Sequence, residues 1–372
     1  GVILITTKNG AAGTGAAKKS EITVSSSIFI NEIASLPDYQ DEFGNGFDQA
    51  FGWFFSNWGP SFDRDGVAGW GTQSAIDDAG TLAHPYSTST SAIRAAFPEF
   101  AGARYPWKPY DSVEKFFKQG IVQTNSVNIN GASADGDMSY NMNFGHLDDQ
   151  GFTPGNNLRR YTLGLGGRAV LSNKITASGT LNFANTNFQS PPVAASTGNS
   201  VFGTGSSVFA NVFYTPRSVD IQGLPIESPV DNSSVYYRQN NSIQHPLWTV
   251  KNSKTAQDTK RVFGNMALQY EINDNLNLTY RFGLDVYSEN NITSQNKGGV
   301  GGSVATQSGI LQTWNNTNTL FDHNLILTGQ YEISEKVGFS FNAGATTRSE
   351  RFDQNGVASS GQLVFGVLRH FN

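Results

Sequence analysis

The segment Gly10-Ala11-Ala12-Gly13-Thr14-Gly15-Ala16-Ala17-Lys18-Lys19-Ser20 follows an apolar stretch and ends on Lys-Ser, so its first suggestion is phosphate binding. A phosphate loop needs glycine directly before Lys-Ser or Lys-Thr, then a helix whose N-terminal amides face the anion. Here Lys18 precedes Lys19, and Glu21-Ile22-Thr23-Val24 has strand character. The segment is expected to be a flexible link. Gly298-Gly299-Val300-Gly301-Gly302-Ser303 has no cationic anchor and is expected to be loop. Asp63-Arg64-Asp65-Gly66 opens like a calcium loop, but the later oxygen ligands and the terminal Glu are missing, which leaves a turn. Asp77-Asp78 is expected to be a solvated turn, because adjacent carboxylates cannot flank one glycosidic bond. His84, His146, His245, His323 and His370 show no metal-ligand spacing, and no His-Glu-x-x-His or Gly-x-Ser-x-Gly element occurs. These residues predict no catalytic centre, no metal and no cofactor.

The aromatic residues point to binding instead. Phe51, Trp53, Phe54, Phe55, Trp58, Phe62 and Trp70 crowd one polar stretch, and Trp107, Trp248 and Trp314 lie in or near others. Flat rings suit sugar rings and peptide side chains, and Trp and Tyr dominate partner contacts. Trp53, Trp58, Trp70, Trp107, Trp248 and Trp314 are therefore the candidate contact residues. The competing roles are packing within loops and an interfacial girdle around a membrane barrel.

The elements that must position them have a period of two. Ile175, Ala177, Gly179, Leu181 and Phe183 alternate with polar residues, as do Val262 to Ile272, Leu276 to Val286, Leu325 to Ile333 and Val337 to Ala343. That period puts one apolar and one polar face on each strand. About ten strands are predicted, at 21–31, 121–131, 137–147, 158–170, 174–188, 258–272, 276–290, 321–333 and 337–351, with a weaker one at 362–371. A short helix is predicted within 111–120, where Val113, Phe116 and Phe117 share one face and Gly120 could end it.

The connections sort by length. Tight polar turns at 132–136, 171–173, 273–275 and 334–336 alternate with long excursions at 32–120, 189–257 and 291–320, and a medium one at 148–157. Short turns on one side and long loops on the other, between segments of about ten alternating residues, describe a transmembrane antiparallel β-barrel. The fold class expected is all-β. No run approaches the ~20 apolar residues of a membrane helix. A net charge of −5 argues against nucleic acid as the partner. The absence of cysteine excludes disulfides and thiolate metal sites.

Several short stretches, in chain order, resemble the SusC/RagA type of TonB-dependent outer-membrane receptor. Gly1-Val2-Ile3-Leu4-Ile5-Thr6-Thr7-Lys8-Asn9-Gly10 resembles the last strand of that family's plug domain. Phe116-Phe117-Lys118-Gln119-Gly120, Asn125-Ser126-Val127-Asn128-Ile129-Asn130-Gly131 and Ser139-Tyr140-Asn141-Met142-Asn143-Phe144-Gly145 resemble its early barrel. Asp149-Gln150-Gly151, Arg159-Arg160-Tyr161, Tyr214-Thr215-Pro216-Arg217, His245-Pro246-Leu247-Trp248 and Phe321-Asp322-His323-Asn324-Leu325 continue the match.

The resemblance implies a barrel of ~22 strands around a plug, in the bacterial outer membrane. It implies import of an oligosaccharide or peptide, energised by TonB-ExbB-ExbD, with a SusD-like surface lipoprotein as a lid on the loops. Under it, 1–10 is the end of the plug, 11–20 a linker and 21–372 the first part of the barrel. The chain is then expected to be an internal fragment, without the TonB box, most of the plug and about half the strands. Expressed alone, such a piece should give no heat-resistant barrel band, since open strand edges do not close. A passive porin or adhesin barrel is the alternative; it would have no plug strand. An outer-membrane enzyme would need a nucleophile–His–acid set that the sequence lacks.

Overall fold

The computed structural model describes residues 20–192, 207–238, 243–300 and 304–370. The expected plug strand at 1–10 and nearly all of the linker lie outside them. The chain begins with β1 (Glu21–Asn31), then two small hairpins, β2 (Gly46–Phe47) with β3 (Ala50–Phe51) and β4 (Thr81–Ala83) with β5 (Arg104–Pro106). Helices α1 (Ser91–Ala96) and α2 (Ser112–Phe116) fall in the same excursion. Then follow β6 (Gly120–Ala132), β7 (Met138–Gln150), β8 (Asn157–Ser172) and β9 (Ile175–Ser190). After α3 (Val208–Phe213) and α4 (Pro246–Asn252) come β10 (Ser253–Asn273), β11 (Leu276–Gln295), α5 (Val304–Gln307), β12 (Ile310–Ser334) and β13 (Val337–Ser360).

Nine of these strands form one antiparallel sheet in the order β1-β6-β7-β8-β9-β10-β11-β12-β13. Apart from the step across the first excursion, neighbours in the sheet are neighbours in sequence. The register turns each strand's alternation into rows. Val24, Val127, Phe144, Leu163, Phe183, Val262 and Val286 stand side by side across seven strands. The next row is Ile22, Ile129, Met142, Leu165, Leu181, Gly264, Leu284 and Phe321. The opposite face carries Asn128, Asn143, Asn182 and Asp285 beside one row and Asn130, Asn141, Thr180 and Asn265 beside the other. A one-residue slip would exchange the faces, so the pattern pins the register.

On β10 the apolar row runs from Val262 to Ile272. Ten steps of ~3.4 Å at a tilt near 40° give a band about 26 Å tall, the height of the lipid-facing belt of a membrane barrel. No described residues cover this face: Met266 is 49% exposed and Phe144 45%. Among the described residues no helix is long and apolar enough to cross a membrane.

The tight turns all fall at one end of the sheet and the excursions at the other. The later strands run past their expected limits at the loop end. β12 begins at Ile310 instead of 321, and β13 ends at Ser360 instead of 351. The added stretch, Gln312-Thr313-Trp314-Asn315-Asn316-Thr317-Asn318-Thr319, has no apolar beat. The sequence pattern follows the apolar belt, and a strand continues beyond it with both faces polar.

The tenth strand expected at 362–371 is not formed over its described residues, 362–370. Gly361 (φ +81°) and Gly366 (φ +80°) curl the chain back. Gln362 then caps the 296–309 connection, its Oε1 accepting from Lys297 N at 2.7 Å and its Nε2 donating to Asn296 Oδ1 at 3.0 Å. The predicted helix at 111–120 shortens to α2: Phe117 is already extended, and Gly120 opens β6 instead of capping a helix.

Candidate functional site

The two long excursions fold together at one end of the sheet. Leu82, Tyr105 and Trp107 from the first share a core with Val219, Ile221, Leu224, Tyr236 and Tyr237 from the second. A second cluster joins Val113 and Phe116 of α2 to Val208 and Val212 of α3. The two excursions meet where β1–β6 and β9–β10 pairing brings the loop bases to the same rim.

Arg217 ties the halves together. Its side chain is 7% exposed and its guanidinium pairs with Asp41 at 2.5 Å and Asp111 at 3.1 Å. Its amide donates to Asn57 Oδ1 at 2.8 Å, and its carbonyl accepts from Tyr110 N at 2.7 Å. The carboxylates remain about half exposed, whereas the cation does not. Removing the carboxylates strands a buried charge, which costs about 3–5 kcal/mol, whereas removing the arginine lets both acids return to water. The double substitution Asp41→Asn with Asp111→Asn is therefore expected to destabilise the loops more than Arg217→Met does. Thermal unfolding followed by protease cleavage within 32–119 checks the order.

The hairpin β2–β3 turns through Asp48 (φ 51°) and Gln49 (φ 64°), both left-handed. This is the geometry of a two-residue type I′ turn, which favours Asn-Gly. Gln49→Gly is expected to stabilise by about 1 kcal/mol by relieving that conformation. A shift in the loop's proteolytic midpoint checks it.

The six tryptophans separate. Trp53 and Trp107 both pack on Phe51, at ring distances of 5.3 Å and 5.5 Å. Trp107 is buried and donates from Nε1 to Ser61 O at 3.1 Å. Trp248 in α4 is fully buried and donates to Asn232 O at 2.8 Å. Trp70 packs on the first core beneath Arg64. Trp314 lies on β12, opposite Asn291 and Gly356 on the sheet's polar face. Trp58 is 53% exposed and meets Phe47 edge-on at 4.9 Å. The candidate set thus resolves into rings packed within the cap, Trp107 and Trp248 foremost, one ring on the sheet's polar face, Trp314, and one surface ring, Trp58. The Trp107 and Trp248 indoles are enclosed, with their N–H groups already bonded.

Two histidines also belong to the core. His84 stacks on Phe100 with ring centroids 3.9 Å apart, and its Nδ1 accepts from Tyr86 N at 3.2 Å. His245 caps α4, its Nδ1 accepting from Leu247 N at 3.2 Å. Burial pushes His84 down to about 4 and His245 down to about 3, the latter against an opposing pull from the Ile221 carbonyl. Asp77 and Asp63 make turns. Asp77 Oδ1 accepts from Thr81 N and Ala79 N, and Asp63 Oδ1 accepts from Asp65 N.

The polar face carries a ladder that sequence spacing does not reveal. Gln257 donates to Asn291 at 3.0 Å, Asn291 and Asn316 each donate to Glu289 at 2.8 Å, and Gln354 donates to Asn316 at 2.8 Å. These residues come from four strands, β10 to β13, and only the register brings them together. Arg238, also unmarked by any motif, lies over Phe54 and Phe55 at 5.8 Å and 5.4 Å.

The fold defines a two-faced antiparallel meander whose long connections form one structured cap. The same architecture occurs in a solved structure of the RagAB peptide transporter, with a TM-score of 0.67 and 17% identity over 96% of this chain. It also occurs in the RagAB peptide importer in its open-open state (TM-score 0.65, 16% identity) and closed-closed state (0.62, 15%). This chain spans 37% of each of those chains. No family model matches the sequence, and no curated protein does.

Proposed function

We propose that this chain forms part of the wall and the outer loop cap of a SusC/RagA-like nutrient importer in the bacterial outer membrane. One observation carries the proposal: a sheet with apolar rows across seven and eight of its nine strands ends, on one side only, in two long loops that share a core. A wall of this kind contains cargo, and a rigid cap can recognise it. In this reading the apolar rows lie in lipid and the Asn- and Thr-rich face lines the hydrated lumen. A SusD-like lipoprotein closes over the cap, and TonB-ExbB-ExbD supplies the energy for uptake of a peptide or oligosaccharide. The chain binds and contains its cargo; it does no covalent chemistry.

The RagAB structures support this reading at the level of fold. Deleting the gene is expected to abolish growth on the imported peptide or glycan mixture, and so is deleting TonB. Growth that persists without TonB would favour a passive porin. Within the cap, the pair Phe47→Ala with Trp58→Ala is expected to weaken lid or cargo binding about tenfold, because an exposed aromatic pair is the type of contact that anchors a partner. Heat-modifiability of the membrane-inserted protein should be unchanged. Full binding by the double variant would remove this pair from the contact surface.

A further inference from the structure

A cavity of about 500 Å³ lies between α1 and the segment 228–238. Ile93, Ala96 and Val235 supply its apolar part, and Val235 is 3% exposed beneath the other two. Its size suits a small ligand. Two charged side chains line it, Asp231 and Arg238. They are in opposite states of satisfaction.

The Asp231 carboxylate accepts from Ser233 N at 3.0 Å and Ser233 Oγ at 2.6 Å. Arg238 has no carboxylate within ion-pair distance among the described residues. What holds it is its position over the Phe54 and Phe55 rings, at 5.8 Å and 5.4 Å. Cation–π contact is made to a ring and not to an oxygen acceptor, so it leaves N–H donors of the guanidinium for other partners. A guanidinium of this kind can donate two parallel hydrogen bonds to a carboxylate. Among the described residues the cavity therefore holds an anion already bonded to Ser233, a cation with no carboxylate partner, and an aliphatic wall.

We infer that this cavity binds the free C-terminal carboxylate of a short peptide, with a small aliphatic last side chain against Ile93, Ala96 and Val235. This rests on the importer reading and narrows its cargo. An α-carboxylate and its own side chain leave the same carbon, so a cation beside an aliphatic wall receives both at once. A neutral oligosaccharide has no charge for Arg238, and the apolar part of this cavity offers methyl groups where a sugar needs a flat ring. The Phe54 and Phe55 faces are the flat rings nearby, and Arg238 lies over both.

The test uses the complete gene product in detergent and the pentapeptide Gly-Ser-Ala-Ala-Val as free acid and as C-terminal amide. The acid is expected to bind at least tenfold more tightly than the amide, since a charge-assisted bidentate pair contributes at that level. Arg238→Gln should bring the acid down to the affinity of the amide and leave the amide unchanged. Ala96→Trp should fill the cavity and weaken both. An amidated peptide carrying an internal Asp should bind like the plain amide; tight binding by it would mean that any carboxylate suffices and would overturn the C-terminal assignment. Equal binding of acid and amide, untouched by Arg238→Gln, would overturn the proposal. If cells still import the acid and amide equally under that outcome, the importer reading stands without this site. If the protein binds maltoheptaose and neither peptide, both the site and peptide cargo are rejected while import of glycan is retained.

Discussion

Acidification from pH 7 to about 4.5 is expected to unfold the loop cap while the nine-stranded sheet persists. His84 and His245 are neutral in the folded cap, with folded values of about 4 and about 3. In an unfolded cap each would titrate near 6.5. Their folded values are depressed, so the unfolded form takes up protons first as pH falls. Stability is intact above ~6.5 and is lost progressively down to the folded values. At pH 4.5 two groups have each moved about two units into that window, at ~1.4 kcal/mol per unit, for a loss of about 5 kcal/mol. A loss of that size is comparable to the whole stability of a small domain. Asp77 is held below the ordinary carboxylate value chiefly by the Thr81 amide. For Asp231 burial pushes the other way, but the Ser233 bonds outweigh it. Both contributions survive until the pH falls below the ordinary carboxylate range near 3.9, so neither accounts for a transition at pH 5. Tryptophan emission and protease nicking across 32–119 and 207–252 give the readout, since every tryptophan except Trp314 lies in the cap. His84→Gln with His245→Asn, which keeps a capping side chain at the α4 start, should flatten the profile between pH 6.5 and 4.5. An identical cleavage pattern at pH 7 and 4.5 in the unsubstituted protein would contradict the account.

Leu268→Arg is expected to block membrane insertion, and Gln269→Arg, one residue along, is expected to be tolerated. Leu268 stands in the apolar row beside Ala177 and Tyr280, and Gln269 faces the other way beside Thr176 and Thr279. Arginine near the middle of a lipid-facing row costs about 2–4 kcal/mol, whereas a lumen-facing position is already hydrated. The band from Val262 to Ile272 puts Leu268 near its centre. With the substitutions made in the complete gene product, the amount of heat-modifiable protein in outer-membrane fractions measures the difference. Equal yields from both variants would mean that the apolar rows do not contact lipid.

How much of this was legible in the sequence depends on which physical signal each element carries. The belt portions of the strands were readable, because Val262-Gly264-Met266-Leu268-Tyr270 repeats with the period that a two-faced strand requires. The loop-end extensions of β12 and β13 were not, because Asn315-Asn316-Thr317-Asn318 pairs through its backbone while both side-chain faces are polar. The segment 362–371 misled in the other direction: the short apolar run Leu363-Val364-Phe365 hints at a strand, yet Gly361 and Gly366 turn the backbone on either side of it.

The site was readable as a list of residue types and opaque as an arrangement. Trp107 and Trp248 carry the same composition signal as Trp58, and only the folding of the excursions decides which ring is enclosed, Trp107 in the core that the two share. Helix α4 did leave a local trace, His245 followed by Pro246 at the first helical position. Arg238 and the links of the Glu289 ladder between strands left none, since those partners lie on other elements.

The absence of cysteine makes the most direct test available. Single cysteines placed in turn at 261–272 of β10, in the protein inserted in outer membranes, can be probed with a membrane-impermeant thiol reagent and with a lipid-borne quencher. Strict alternation is expected. Positions 262, 264, 266, 268 and 270 should resist the aqueous reagent and be quenched from the lipid, and 263, 265, 267 and 269 should do the reverse. Uniform labelling along the strand, or alternation with the opposite phase, would contradict a lipid-facing apolar row and with it the membrane wall on which the importer proposal stands.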